Sequence, residues 1–199
     1  MVINQAVAHL PWSESSIALM EFIGGVRRIV RAEANQRRAA GAVAELLASY
    51  LRIDDLLTED QMQPDPKKYR QHVLHVENDS SFSVAALVWL PGQETPIHDH
   101  VSWCVVGVYK GAEHEIRYEL RQQEGETYLA QTGDGLSRDG SVDVLLPPGD
   151  IHKVANAGSD LAVSIHIYGA NLAALGCSIR HRYDLPVRPM MPFSQRAHL

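Results

Sequence analysis

From Lys68 to Leu185 the chain is a succession of short β-rich runs cut apart by Gly, Pro and Asp: "YRQHVLHV", "SFSVAALVWL", "SWCVVGVYKG", "HEIRYEL", "ETYLAQTG", "SVDVLLPPG", "IHKVANAG", "LAVSIHIYG" and "SIRHRYDL". Strands at such regular spacing, without helical patterns between them, predict a mainly β core built as an antiparallel sandwich or barrel over about 68–185. The first third has a different period. Ile17, Met20, Phe22, Ile23, Val26 and Val30, then Val43, Leu46, Leu47 and Tyr50, follow helical spacing, which places a helical segment at about 13–62. Ser13 or Ser15 is the expected cap, Gly24-Gly25 weakens the middle, and "EANQRRAAG" holds a break or a new start. A third short helix is expected in "IDDLLTEDQM", stopped by Pro64 and Pro66. The tail at 186–199, "PVRPMMPFSQRAHL", is expected to run extended over the surface of a single domain.

The net charge is -6 and the isoelectric point about 5.9, which gives no basic footprint for nucleic acid or for anionic membrane surfaces. A small molecule is the natural partner. No apolar run reaches membrane-spanning length, and "MVINQAVAHLPWSESS" lacks the pattern of a secretory signal, so a cytoplasmic location is expected. Cys104 and Cys177 are the two cysteines, too few for a disulfide framework. The sequence does not set an oligomeric state.

The stretch "TPIHDHVSWCVVGVYKG" carries the first chemical signal. On a strand His98 and His100 face one way and Asp99 the other, so two imidazoles can chelate one metal. "PPGDIHKVAN" supplies His152 directly after a Pro-Gly turn, where it can approach from a neighbouring strand. These segments resemble the cupin superfamily. Its first motif, G-x5-H-x-H with a usual Glu and a final Gly, maps onto Gly92, His98, His100, Cys104 and Gly111; its second, P-x-G-x2-H-x3-N, onto Pro147, Gly149, His152 and Asn156. The resemblance implies a double-stranded β-helix, or jelly-roll, barrel with the N-terminal helices attached. Cys104 stands where the usual glutamate ligand would be. Three neutral imidazoles without a carboxylate suit an anionic sulfur ligand together with dioxygen.

In "LAVSIHIYGAN" Ser164, His166 and Tyr168 are alternate residues of one predicted strand, with Val163, Ile165 and Ile167 on the other face. Alone, that row also fits the solvent side of a strand. Facing a metal, it forms a hydrogen-bond relay ending in a phenol that can orient a substrate. Combined with the three histidines, it resembles the thiol dioxygenases, typified by cysteine dioxygenase, over roughly 67–185. That resemblance implies Fe(II) on His98, His100 and His152, O2 as co-substrate, a small thiol substrate, and a relay of Ser164, His166 and Tyr168. It also raises a thioether between Cys104 and Tyr168. The three residues between His100 and Cys104 match the bacterial pattern rather than the four of crosslinked enzymes, which leaves a buried, unmodified thiol as the alternative. Cys177 has no motif around it and is expected simply to pack.

In "KKYRQHVLHV" Tyr69 and Gln71 share one face. The family's eukaryotic members have arginine at the Gln71 position, and glutamine is similar to the branch that prefers 3-mercaptopropionate. Arg180 and Arg182, after the Tyr168-Gly169-Ala170-Asn171 segment, are candidate partners for a substrate carboxylate, or exposed strand charges with no function. Cysteine, 3-mercaptopropionate and mercaptosuccinate all stay open as substrates. A Zn or Ni cupin isomerase, lyase or hydrolase, and a metal-dependent small-ligand sensor, are the competing readings.

Overall fold

Valine, isoleucine and alanine dominate 83–89 and 162–168, and both runs are buried along their whole length, as strands covered on two sides must be. The computed structural model describes residues 8–9 and 15–190. It contains twelve strands: β1 (Ala8–His9), β2 (Arg70–Val76), β3 (Ser83–Trp89), β4 (His98–His100), β5 (Cys104–Lys110), β6 (Ala112–Gln123), β7 (Glu126–Arg138), β8 (Val142–Leu145), β9 (His152–Asn156), β10 (Ala162–Tyr168), β11 (Ile179–Arg182) and β12 (Val187–Arg188). They form two six-stranded sheets, ordered β1-β2-β3-β10-β5-β8 and β11-β4-β9-β6-β7-β12. All pairings are antiparallel except the short edges β1–β2 and β7–β12.

Helices α1 (Ile17–Ala32) and α2 (Gln36–Tyr50) cover the outer face of the first sheet. Leu19, Phe22, Val43 and Leu47 pack there against Val84, Ala86, Val88, Val163, Ile165 and Ile167. Two glycines permit the close approach: a Cβ on Gly25 would sit 2.6 Å from Leu46 of α2, and one on Gly107 of β5 2.6 Å from Leu47. The Gly24-Gly25 pair therefore lies inside an unbroken helix, and the break falls at 33–35, where Asn35 caps α2 through the Arg38 amide. The cap of α1 is Ser16, not Ser13 or Ser15; Ser13 lies outside the described residues.

The expected third helix reduces to a 3-10 turn at Asp60–Met62. Its carbonyls are taken by tertiary partners: Tyr109 Oη donates to the carbonyls of Ile53 and Asp54, and Ser16 Oγ to that of Leu56. An additional short helix, α3 (Leu172–Leu175), follows β10. The tail begins with β12 against β7, and residues 191–199 lie outside the described part. Among the described residues no helix is long and apolar enough to cross a membrane.

Between β10 and α3, Gly169 is tied to Trp103 by its amide, and a Cβ there would meet the indole Nε1 at 2.1 Å. Trp103 is itself buried. Gly169→Ala is therefore expected to destabilise the fold by about 1–3 kcal/mol through overpacking, measured as a lower urea midpoint at unchanged slope.

Candidate metal centre

His98 and His100 project from the same face of β4, and His152 opens β9 in register with His98. Their ring centroids lie 4.6–5.1 Å apart, and the ligand atoms all fall within 4.8 Å of one another. All three are buried. Asp99, facing away, accepts from the His181 amide at 2.8 Å and from the Tyr183 hydroxyl at 3.3 Å, which fastens β4 to β11.

Each histidine has its Nδ1 on a protein oxygen: His98 on the Pro96 carbonyl at 2.9 Å, His100 on Asp150 Oδ2 at 2.8 Å, His152 on Glu115 Oε1 at 2.7 Å. That leaves Nε2 of each ring free to ligate, and the buried His152 Nε2 has no hydrogen-bond partner. An unpaired buried nitrogen is costly unless something takes its lone pair, so the donor set fits a metal ion. Burial, then the neighbouring imidazoles, hold His98 well below the ordinary histidine range. Burial likewise lowers His100 against the opposing pull of Asp150. Neutral rings are the form that binds metal. Burial works to raise Glu115 and Asp150, but hydrogen bonds with His152 and Arg117 in one case and His100 in the other bring both below the usual carboxylate range. Sequence reading missed these two carboxylates, although Asp150 stands two residues before His152. Asp150→Ala is expected to weaken metal binding about 10–100-fold in a chelator competition, by releasing the His100 ring. Unchanged affinity would remove that role.

β10 runs between β3 and β5, so its Ser164, His166 and Tyr168 face inward toward the second sheet rather than solvent. Tyr168 Oη lies 3.1 Å from His166 Nδ1, and His166 Nε2 lies 2.9 Å from Ser164 Oγ, which also accepts from Trp89 Nε1 at 3.3 Å. The Tyr168 ring is 6.2 Å from that of His100. Burial, with the nearby His100 and His152, takes His166 down to about 3, so it stays neutral. Burial raises the Tyr168 phenol well above its ordinary value. Cys104 pairs with Tyr168 across β5 and β10, its sulfur 3.8 Å from His166 Nδ1, and burial pushes its thiol well up.

A cavity of about 30 Å³ opens onto the three histidines and Tyr168. Tyr69 and Gln71 line it, with Tyr69 stacked on Trp89 at 4.5 Å. Arg180 and Arg182 do not line it: both are exposed, and Arg180 donates to the Val101 carbonyl. Arg182 pairs opposite His98 and Arg180 falls at the bulge between Ile179 and His181, yet both side chains are exposed, in line with the reading of exposed strand charges. Cys177 and Ser178, expected only to pack or not singled out, line the cavity instead.

Three inward imidazoles from paired strands of a two-sheet barrel define a metal-binding cupin. The family model for cysteine dioxygenase type I matches residues 11–179, and the chain belongs to that family. Similar solved structures include the TT1209 protein of Thermus thermophilus, 17% identical over 57% of this chain and 95% of that one, with a TM-score of 0.42. An uncharacterized conserved protein with a double-stranded β-helix domain from Klebsiella pneumoniae is 16% identical over 57% and 86%, TM-score 0.42. A Cupin 2 conserved barrel domain protein from Salinispora arenicola is 18% identical over 56% and 83%, TM-score 0.40.

Proposed function

We propose that the protein is a mononuclear Fe(II) thiol dioxygenase of the cytoplasm that converts a small thiol acid to its sulfinic acid, R–SH + O2 → R–SO2H. The observation that carries this reading is the buried Ser164–His166–Tyr168 chain ending beside a three-imidazole cluster that no carboxylate joins among the described residues. A bound Fe(II) would supply open positions for the substrate sulfur and dioxygen and the redox chemistry that couples them. His98, His100 and His152 would hold it, and since imidazole ligands bring no negative charge, an anionic sulfur would offset the charge of the ion. Tyr168, kept protonated by burial, faces the substrate with its hydroxyl, and His166 and Ser164 fix the angle of that phenol.

Among the described residues no arginine or lysine lines the cavity, so Gln71 and Tyr69 receive the acid end of the substrate through neutral hydrogen bonds. Gln71→Ala is expected to raise KM for thiol acids about 2–10-fold, the worth of one such bond, while leaving cysteamine, which has no carboxylate, unaffected. Equal changes for both would remove Gln71 from acid recognition. Cys104 stands opposite Tyr168 on the neighbouring strand, which supports a thioether between the two. Peptide mass spectrometry of turned-over protein reads it as a loss of two hydrogens that is absent in Cys104→Ala, and an unlinked peptide leaves Cys104 a packing residue.

The test of function is oxygen uptake by Fe(II)-loaded protein with cysteine, 3-mercaptopropionate, mercaptosuccinate and cysteamine. Thiol-dependent uptake with a matching sulfinate supports the reading and ranks the substrates. An iron-replete protein inert toward all four would overturn it in favour of non-oxidative cupin chemistry.

A further inference from the structure

A second cavity lies inside the barrel. In one sheet β10 runs between β3 and β5, and in the other β9 runs between β4 and β6. The cavity lined by Tyr69 and Gln71 lies on the β3 and β4 side of these two strands, and the second, of about 40 Å³, on the β5 and β6 side. His152 and Val154 of β9 and His166 of β10 line both, so they form the partition between the two. The second cavity therefore reaches one of the three clustered histidines and the middle of the Ser164–His166–Tyr168 chain from behind. Val106 and Val108 of β5, Leu145 of β8 and Val154 give it an aliphatic wall. Ser137, Ser141 and Asp143, all half-buried, mark its end nearer solvent.

The polar side chains in its lining are largely engaged elsewhere. Glu115 accepts from His152 and Arg117, Asp143 accepts from Arg117 and the Val144 amide, and the two His166 nitrogens face Ser164 and Tyr168. His152 has its Nδ1 on Glu115, which leaves Nε2 for the metal. Inward of the serines the carboxyl of Glu113 is what remains: it is buried, and its Oε1 has no partner. An enclosed water takes about two to four polar partners and roughly 10–15 Å³, so the cavity has the room for one but, along its aliphatic wall, not the partners. A cavity of that kind stays dry and takes apolar guests such as xenon. The first cavity differs in carrying Tyr69, Gln71 and Ser178, side chains able to hydrogen-bond a thiol acid. A thiol seated there blocks that side to oxygen.

We propose that the second cavity is a binding site for a small apolar gas and the side from which dioxygen approaches, so that thiol and oxygen arrive from opposite sides of β9 and β10. Val154, the one aliphatic residue in the partition, is the point of passage. The role for oxygen rests on the dioxygenase reading; the affinity for an apolar gas does not. The test is methyl NMR of valine- and leucine-labelled full-length protein under xenon, loaded with Zn(II) to keep the spectrum diamagnetic, in wild type, Val108→Phe and Val108→Thr. Val108 is buried and lines the second cavity alone. In wild type xenon should shift the methyl signals of Val106, Val108 and Leu145. Phenylalanine should abolish the shifts at Val106 and Leu145 by filling the space. Threonine, of nearly the same shape, should abolish them by adding a hydroxyl that together with Glu113 admits water, and it decides the matter if the larger ring unfolds the protein. In Fe(II)-loaded protein both variants should lower kcat/KM for oxygen while KM for the thiol stays unchanged. Wild-type methyl signals that ignore xenon, shifts that persist equally in the variants, or oxygen kinetics unchanged where xenon is lost would each overturn the proposal. Xenon bound and lost as expected, without thiol turnover, would sink the dioxygenase reading and leave the gas site in place.

Discussion

Replacing His98 with alanine is expected to reduce bound iron to background and to abolish thiol-dependent oxygen uptake. Two imidazoles remain in the variant, and the loss of a direct ligand should exceed the roughly 10–100-fold loss of affinity typical of removing a group that merely orients one. The fold should survive. His98 gives up one hydrogen bond, to the Pro96 carbonyl, worth about 1 kcal/mol, while β4 stays attached to β11 through Asp99. His181→Ala is the control: that ring also belongs to the β4–β11 seam, but it is largely exposed and points at Asp99 rather than at the cluster. It should keep its iron. Full iron retention in His98→Ala would mean that the metal, if any, is elsewhere.

Tyr168→Phe is expected to retain iron and lose about 10²–10⁴-fold in turnover, the range for removing a positioned proton donor or acceptor. Only the hydroxyl is deleted, and the ring keeps its packing between Leu87, Cys104 and Leu172 in the inner cluster. His166 Nδ1 loses its partner at 3.1 Å but keeps the Cys104 sulfur at 3.8 Å, so the expected stability loss is about 1 kcal/mol, the worth of one hydrogen bond. The informative quantity is the ratio of sulfinate formed to oxygen consumed. A ratio that falls while oxygen is still consumed marks the phenol as the group that directs both oxygen atoms to sulfur. Full activity with a normal ratio would remove Tyr168 from the machinery.

The strands, the helical first third and the inward histidines were legible because each is a local pattern. Alternation on β10 separates Ser164, His166 and Tyr168 from Val163, Ile165 and Ile167 whatever the rest of the chain does. Which side faced a core was not legible, since a polar row is compatible with solvent until α1 and α2 are seen to cover the opposite face. The expected helix at 53–62 failed for the same kind of reason: its propensity was local, but Tyr109 and Ser16 claimed its carbonyls from a distance.

By itself, then, the sequence determined a β barrel with flanking helices, two imidazoles on one strand face with a third after a turn, and a polar row ending in a phenol. Tertiary structure alone decided the rest. Asp150 and Glu115 meet His100 and His152, and Arg180 lies outside the cavity while Cys177 and Ser178 enter it. Periodicity fixes the direction of a side chain within its own element, whereas these contacts depend on strand register, bulges and loop paths between segments far apart in the chain.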